Sequence, residues 1–249
     1  MSFKDHFSGH AAAYAAFRPR YPDQMFAWLA AEAPSRQLAW DCATGNGQAA
    51  VALAPYFERI HATDASAAQI EHAEPRPNIG YACEPAESCS LPDASVDLLT
   101  VAQALHWFDI DRFFIEAQRV LKPGGVIAAW CYEQFDMPPD INGLLDDFYR
   151  ETVGPYWPPE RKLLEAGYRT LPWPFDERVP PPLKLEVDWP LADLLGYLRS
   201  WSASRRYQAA HGHDPVSLIE RDLARQWGDP EKPRRVTWPL SMRVGRGKA

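Results

Sequence analysis

The segment that most constrains this chain is Trp40-Asp41-Cys42-Ala43-Thr44-Gly45-Asn46-Gly47, an apolar run that ends in an acid, passes a G-x-G turn and enters a helix-periodic stretch at Gln48. Glycines at such a turn let the backbone approach a ligand without obstruction from Cβ. Downstream, short apolar runs alternate with segments of helical period, the pattern of strands joined by helices in a parallel sheet. Strands are expected near Leu38 to Cys42, Arg59 to Thr63, Ile79 to Cys83, Val96 to Ala102 and Val126 to Cys131. Helices are expected at Gln48 to Tyr56, Ser66 to Glu74 and Asp111 to Leu121, the last stopped by Lys122-Pro123-Gly124-Gly125. Ahead of the first strand, Asp23 to Glu32 reads as a lone helix capped by Asp23.

The second half differs, because nine of the 24 prolines precede residue 130 and fifteen lie between Pro138 and Pro239. Pro138-Pro139, Pro158-Pro159 and Pro180-Pro181-Pro182 frame two apolar helix-like stretches, Ile141 to Val153 and Leu191 to Trp201. We expect residues 136–214 to form a cap inserted into one domain spanning 1–249, with 215–249 returning to the sheet edge. Strand patterns at Leu183 to Trp189 and Arg235 to Arg246 suit an antiparallel pair there.

The chain of 249 residues has 46% hydrophobic residues, enough for a sizeable core, and contains no run of about 18 uncharged apolar residues. No membrane span is expected, and Met1 to His10 lacks the apolar stretch of a secretory signal, which points to the cytoplasm. Four cysteines without a C-x-x-C pair argue against structural zinc and a disulfide framework, and no metal is expected. A net charge of −7 lowers the expectation of a dedicated nucleic-acid binder.

Gly45 to Ala50 satisfies G-x-G-x-x-A, so a dinucleotide and S-adenosylmethionine compete for the turn. Asp41 would repel a pyrophosphate at the helix N-terminus but favour a cationic amino acid moiety, and S-adenosylmethionine carries an ammonium, a sulfonium and no phosphate. Asp64, at the end of the next strand, offers two oxygens to a ribose and fits either cofactor. Each acid alone reads equally well as a cap of the following turn.

Asp41-x-x-x-Gly45-x-Gly47, Asp64, Ala86-Glu87, Val96-Asp97-Leu98-Leu99 and Leu121-Lys122-Pro123-Gly124-Gly125 together resemble the class I S-adenosylmethionine-dependent methyltransferases, in the family's order over residues 36–131. Tyr14, Arg18-Pro19-Arg20-Tyr21-Pro22, Gln103 to Phe108 and Tyr197 to Ser202 look, more loosely, like the subgroup of type 11 methyltransferases containing trans-aconitate methyltransferases. The resemblance implies an α/β, Rossmann-like, seven-stranded, mostly parallel sheet with one antiparallel strand, helices on both faces and a late helical cap. It further implies that residues 36–131 form the cofactor-binding core. There Asp41 and the Gly45 to Gly47 turn hold the methionine part, Asp64 the ribose, and Ala86 with Glu87 the adenine edge, with Gln103 beside the methionine portion and Ala43 and Ala65 also at the cofactor. Pro85 departs from the family, which often has an Asp before the Ala-Glu pair.

Methyl transfer from a sulfonium is an in-line displacement that requires alignment and exclusion of water. A carboxylate acceptor needs no base, whereas a hydroxyl or amine must lose a proton. His106 is the candidate base, since it follows the fourth strand and an unperturbed histidine titrates at about pH 6.5; a histidine satisfied by local hydrogen bonds is the competing reading. Tyr14 and Arg18 are candidates for a lid, with a plain surface charge the other reading of Arg18. Trp107, Trp201 and Tyr207 are candidates for contacts to the acceptor, although Trp107 reads more readily as core than as site and Ser200 to Tyr207 reads equally as an amphipathic helix with its arginines in water. The expected partner is a small-molecule methyl acceptor, with the protein a monomer or homodimer. An amino-base acceptor usually goes with an Asn/Asp-Pro-Pro-Tyr turn where this chain has Gln103-Ala104-Leu105-His106. The alternatives are a methyltransferase-like binding protein without turnover and an NAD-dependent oxidoreductase.

Overall fold

A computed structural model of the protein describes residues 19–247. Helix α1 (Asp23–Glu32) precedes β1 (Leu38–Cys42), α2 (Gln48–Leu53), β2 (Arg59–Asp64), α3 (Ala67–Ile70), β3 (Ile79–Cys83), β4 (Val96–Ala102), α4 (Ile110–Val120) and β5 (Leu121–Tyr132). The remainder comprises α5 (Pro139–Asp147), α6 (Arg161–Glu165), β6 (Asp176–Arg178), β7 (Lys184–Trp189), α7 (Leu191–Ser200), α8 (Ser202–His211), α9 (Glu220–Trp227) and β8 (Arg234–Arg246). The sheet has eight strands in the order β3-β2-β1-β4-β5-β8-β6, with β7 pairing off this path on β8. Strands β1 to β5 are mutually parallel, and β8 is antiparallel to β5, β6 and β7, so it alone runs against the others. The seven-stranded expectation therefore holds along the main path, and β7 is an eighth strand. Its partner β8 is long enough to pair β7 along its first half and β5 and β6 along its second.

Helices on both faces bury β1 and nearly all of β4, and alternation along a strand sends neighbouring side chains to opposite cores. Ala39 and Leu98 pack with Met25, Phe26 and Trp130 beneath α1 and α2. Trp40 and Leu99 pack with Phe113, Val120 and Ile127 against α4. A third core of Phe135, Phe148, Leu194, Tyr197, Trp201 and Trp238 lies inside the cap and seats it on the end of the sheet.

Several boundaries differ from the sequence expectation for local reasons. Pro22, without a side-chain hydrogen bond, occupies the cap position of α1, and Asp23 is its first helical residue. Helix α2 stops at Leu53, with Ala54 still in helical backbone and its amide donating to the Val51 carbonyl, and Pro55, which has no N–H to donate, follows. Helix α3 ends at Ile70 and leaves a few turns before Pro75. The Lys122 to Gly125 stop is absorbed into β5, whose pairing with β4 slips between Val96 and Leu98. A Cβ on Gly125 would stand 2.9 Å from both the Lys122 and Val96 carbonyl oxygens, so this irregular crossing requires glycine. The stretch expected as one cap, 136–214, is interrupted by β6 and β7, and its helical layer continues through α9 to Trp227. Sequential proximity is misleading here because both strands fold back onto β8.

Candidate functional site

The strand order reverses between β1 and β4, and ligands in open α/β sheets bind in the crevice outside the carboxyl ends at such a point. Two non-glycine residues there adopt left-handed backbone, Ala43 after β1 with φ 54° and Gln103 after β4 with φ 57°. Such positions persist where neighbours over-determine them, and they concentrate at ligand sites. The Thr44 amide donates to the Thr63 carbonyl at 2.8 Å, and the Gln103 amide to the Trp130 carbonyl at 2.9 Å. Gly45 and Gly47 are also left-handed, and a Cβ on Gly47 would collide with the Tyr81 phenol.

Asp41 is wholly buried and accepts hydrogen bonds from the hydroxyls of Thr44 at 2.5 Å and Thr100 at 2.7 Å. Among the described residues no Lys, Arg or His pairs with it. Burial therefore raises its pKa from 3.8 to about 6, despite the two hydroxyls that oppose the shift. A carboxylate in this position is matched by a cationic ligand and opposed by a pyrophosphate. Asp64 accepts from the Gly45 amide and the Ser66 amide, both at 2.9 Å. A carboxylate offers about four lone-pair sites and so can accept from several donors at once. Ala65 follows in a bend whose carbonyl faces the Cys83 thiol at 3.6 Å. Ala86 is buried, and one oxygen of Glu87 accepts from the Asp109 amide at 2.9 Å, tying the loop after β3 to the start of α4.

Beyond Gln103 a cleft of about 60 Å3 opens between the sheet and the cap. Gln103, His106, Trp107 and Tyr132 form its sheet side, and Trp157, Arg161, Trp201 and Arg205 come from the cap. The His106 ring is buried, with Nδ1 2.9 Å from the Tyr168 hydroxyl. Burial, reinforced by the nearby Arg161 guanidinium, drives its pKa from 6.5 down to about 3. The imidazole is therefore neutral at physiological pH and a poor proton acceptor, unlike the unperturbed histidine the sequence suggests. Arg161 lies 4.4 Å over the Trp157 ring, and its Nε donates to the Tyr149 hydroxyl at 3.1 Å.

A family model described as a methyltransferase domain matches residues 40–129. A Dictyostelium discoideum protein named as a methyltransferase is 34% identical over 90% of this chain and 87% of its own length. The chain belongs to the class I S-adenosylmethionine-dependent methyltransferases. A solved structure from Anaeromyxobacter dehalogenans, described as a type II methyltransferase, is 48% identical, with TM-score 0.88 over 93% of this chain and 99% of that one. A Haemonchus contortus phosphoethanolamine N-methyltransferase 2, solved in complex with S-adenosyl-L-methionine, shares the fold at 17% identity and TM-score 0.52, covering all (100%) of this chain and 60% of that one.

In this methyltransferase the turn residues, Asp41, Asp64 and Gln103 converge on the switch point, whereas Ala86 and Glu87 flank it from the loop after β3. Trp107 and Trp201 line the cleft, but Tyr207 faces Tyr156 and His211, at centroid distances of 5.2 and 4.3 Å, and is not in the lining. Tyr14 and Arg18 lie outside the described residues. Sequence reasoning missed Arg161, Trp157 and Tyr168 because they sit in a proline-rich stretch without motif, and only the folding back of the cap brings them to His106. No helix among the described residues is long and apolar enough to cross a membrane, and no cluster of three or more His, Cys, Asp or Glu is placed to hold a metal. All four cysteines are free.

Proposed function

We propose that this methyltransferase methylates an oxygen of a small carboxylated molecule held in the cleft between Gln103 and the cap. The observation that carries this reading is Arg161. Its guanidinium is braced by Tyr149 and Trp157, its Nε stands 3.8 Å from the Glu165 carboxylate, its Nη nitrogens make no hydrogen bond among the described residues, and it lines the cleft. A planar guanidinium fixed in this way suits a carboxylate, which it meets with a fork of donors. Arg205 adds a second cation to the lining, while Glu133 on the same wall is engaged by the Ser241 hydroxyl at 2.6 Å. The aromatic walls suit a planar or apolar body.

S-adenosylmethionine, when bound, supplies an electrophilic methyl on a sulfonium. The residues of this chain then have to bind, align and exclude water. On this reading Asp41 balances the charge of the methionine ammonium, Asp64 and Ala65 meet the ribose, and the Gly45 to Gly47 turn with Ala43 leaves room for the backbone to approach. Ala86 and the remaining oxygen of Glu87 border the adenine, where Pro85 offers no side-chain acceptor. Gln103 stands between the cofactor end and the acceptor cleft. A carboxylate oxygen attacks without losing a proton, which suits a site whose histidine stays neutral.

A nucleic-acid acceptor is disfavoured because the basic residues near the C-terminal strand are already paired. Arg234 meets Asp140 at 2.9 Å, Arg235 meets Asp188 at 2.5 Å, and Arg243 meets Glu177 at 3.1 Å. The uncompensated burial of Asp41 likewise disfavours NAD. Calorimetric titration with S-adenosylhomocysteine, with NAD in parallel, tests the cofactor assignment: micromolar binding of the former alone is expected. A screen of carboxylates, phenols and amines tests the acceptor, and turnover confined to amines would overturn the carboxylate assignment.

A further inference from the structure

His106 is placed at the acceptor cleft yet held in a state that the assignment of a general base does not explain. We infer that His106 is a fixed, neutral hydrogen-bond donor that presents Nε2–H to the acceptor, and that Tyr168 is the positioning residue that sets this tautomer.

The argument starts at Tyr168, whose side chain is fully buried and whose hydroxyl has one hydrogen-bond partner among the described residues, His106 Nδ1 at 2.9 Å. A hydroxyl sealed from water has to donate its proton, and an undonated one is strongly disfavoured. If Nδ1 bore the ring proton, it would donate to the phenol oxygen and leave the phenol proton without an acceptor. The satisfied arrangement is the reverse: the phenol donates to a bare Nδ1, and the ring proton resides on Nε2. Nε2 makes no hydrogen bond to any described residue, and it is not among the side-chain nitrogens sealed without a partner, so it remains accessible where His106 lines the cleft.

Burial keeps the ring neutral, among charges of both signs. Arg161 and Arg205 from the cap line the same cleft, as does the Glu133 carboxylate, which accepts from the Ser241 hydroxyl, and Glu165 stands 3.8 Å from Arg161 Nε. On the Tyr168 side stand Tyr21 and Cys131, whose thiol burial raises to about 12 and so keeps uncharged at neutral pH. Burial and Arg161 push the imidazole in the same direction. A donor on this wall, together with the Arg161 fork, orients an anionic acceptor oxygen and takes no proton from it. That consequence rests on the carboxylate reading above, whereas the tautomer does not.

Two-bond proton–nitrogen correlation spectra of the full-length protein, with His106 identified through His106→Gln, read the ring directly. We expect a protonated Nε2 and a bare Nδ1, unchanged over roughly pH 5 to 8. In Tyr168→Phe the fixed preference should give way to a mixture of tautomers. A protonated Nδ1 in the wild type, or titration of this ring within that window, would overturn the inference even if Tyr168→Phe fails to fold. For turnover, His106→Gln, which keeps an N–H donor, should retain more rate than His106→Ala, and equal losses would also overturn it. If no carboxylate is methylated while the spectra come out as expected, the acceptor reading fails and the tautomer assignment stands.

Discussion

The Asp64 carboxylate accepts a hydrogen bond from the Gly45 amide at 2.9 Å, joining the end of β2 to the glycine turn that follows β1. The residue expected to meet the ribose thus also fixes the turn expected to meet the methionine part. Its second oxygen holds the Ser66 amide at the start of α3, so one side chain aligns three segments of the crevice. Asp64→Ala should accordingly weaken S-adenosylhomocysteine binding by more than a lost ribose contact alone, about 1.5 to 3 kcal/mol or greater. Calorimetry checks this, and unchanged affinity would remove Asp64 from the cofactor site.

If Asp41 meets the cofactor, binding should depend on pH. Its pKa in the folded protein, about 6, lies above its ordinary 3.8, so the folded state holds this proton more tightly than the unfolded chain. The contribution to stability is complete below the lower value and is lost as pH rises through the upper one, up to roughly 3 kcal/mol. A cationic ligand favours the ionised form, so affinity for S-adenosylhomocysteine should fall as pH drops below about 6, at most about tenfold per pH unit. Titrations between pH values on either side of that point measure it, and Asp41→Asn should flatten the profile.

Asp97 is a structural counterpart at the opposite end of the sheet. Fully buried, it accepts from the Ser35 hydroxyl at 2.7 Å, the Gln37 and Leu38 amides at 3.1 and 3.0 Å, and Lys122 at 2.8 Å. Burial alone would raise its pKa, but Lys122 and the other donors outweigh it and leave the pKa lowered. Its stabilising contribution is present above the ordinary carboxylate value and lost as pH falls through the depressed one. Asp97→Asn should destabilise the fold by about 2 to 4 kcal/mol, read by urea unfolding. The cofactor affinity of the molecules that remain folded should not change.

Arg161→Ala should raise KM for a carboxylated acceptor by about 10- to 100-fold and leave S-adenosylhomocysteine affinity unaltered, as expected for loss of charged hydrogen bonds. Arg161→Lys should restore little of it, because an ammonium lacks both the fork and the stacking on Trp157. Initial-rate kinetics with both variants decide whether the guanidinium binds the acceptor.

The geometry of the switch point was legible because its determinants are local: Asp41, Gly45, Gly47 and Asp64 sit at strand ends whose alternation and spacing are written along the chain. Prolines lie near the shifted helix boundaries, with Pro22 at the cap of α1 and Pro55 two residues after the end of α2. The cleft beside the switch point was not legible, because Trp157, Arg161 and Tyr168 carry no motif and are brought to His106 only where the cap packs on the end of the sheet. The pairing of His106 with Tyr168 spans 62 positions, and no periodicity encodes it.

By itself, then, the sequence determined a parallel α/β core with a glycine turn and two acids at the carboxyl ends of its strands, since hydrophobic period and turn chemistry act over a few residues. Tertiary structure alone decided the electrostatic state of the site. Burial without a counter-charge raises Asp41, and burial beside Arg161 with Tyr168 at Nδ1 keeps His106 neutral, because a pKa responds to solvent exclusion and to charges brought close by folding.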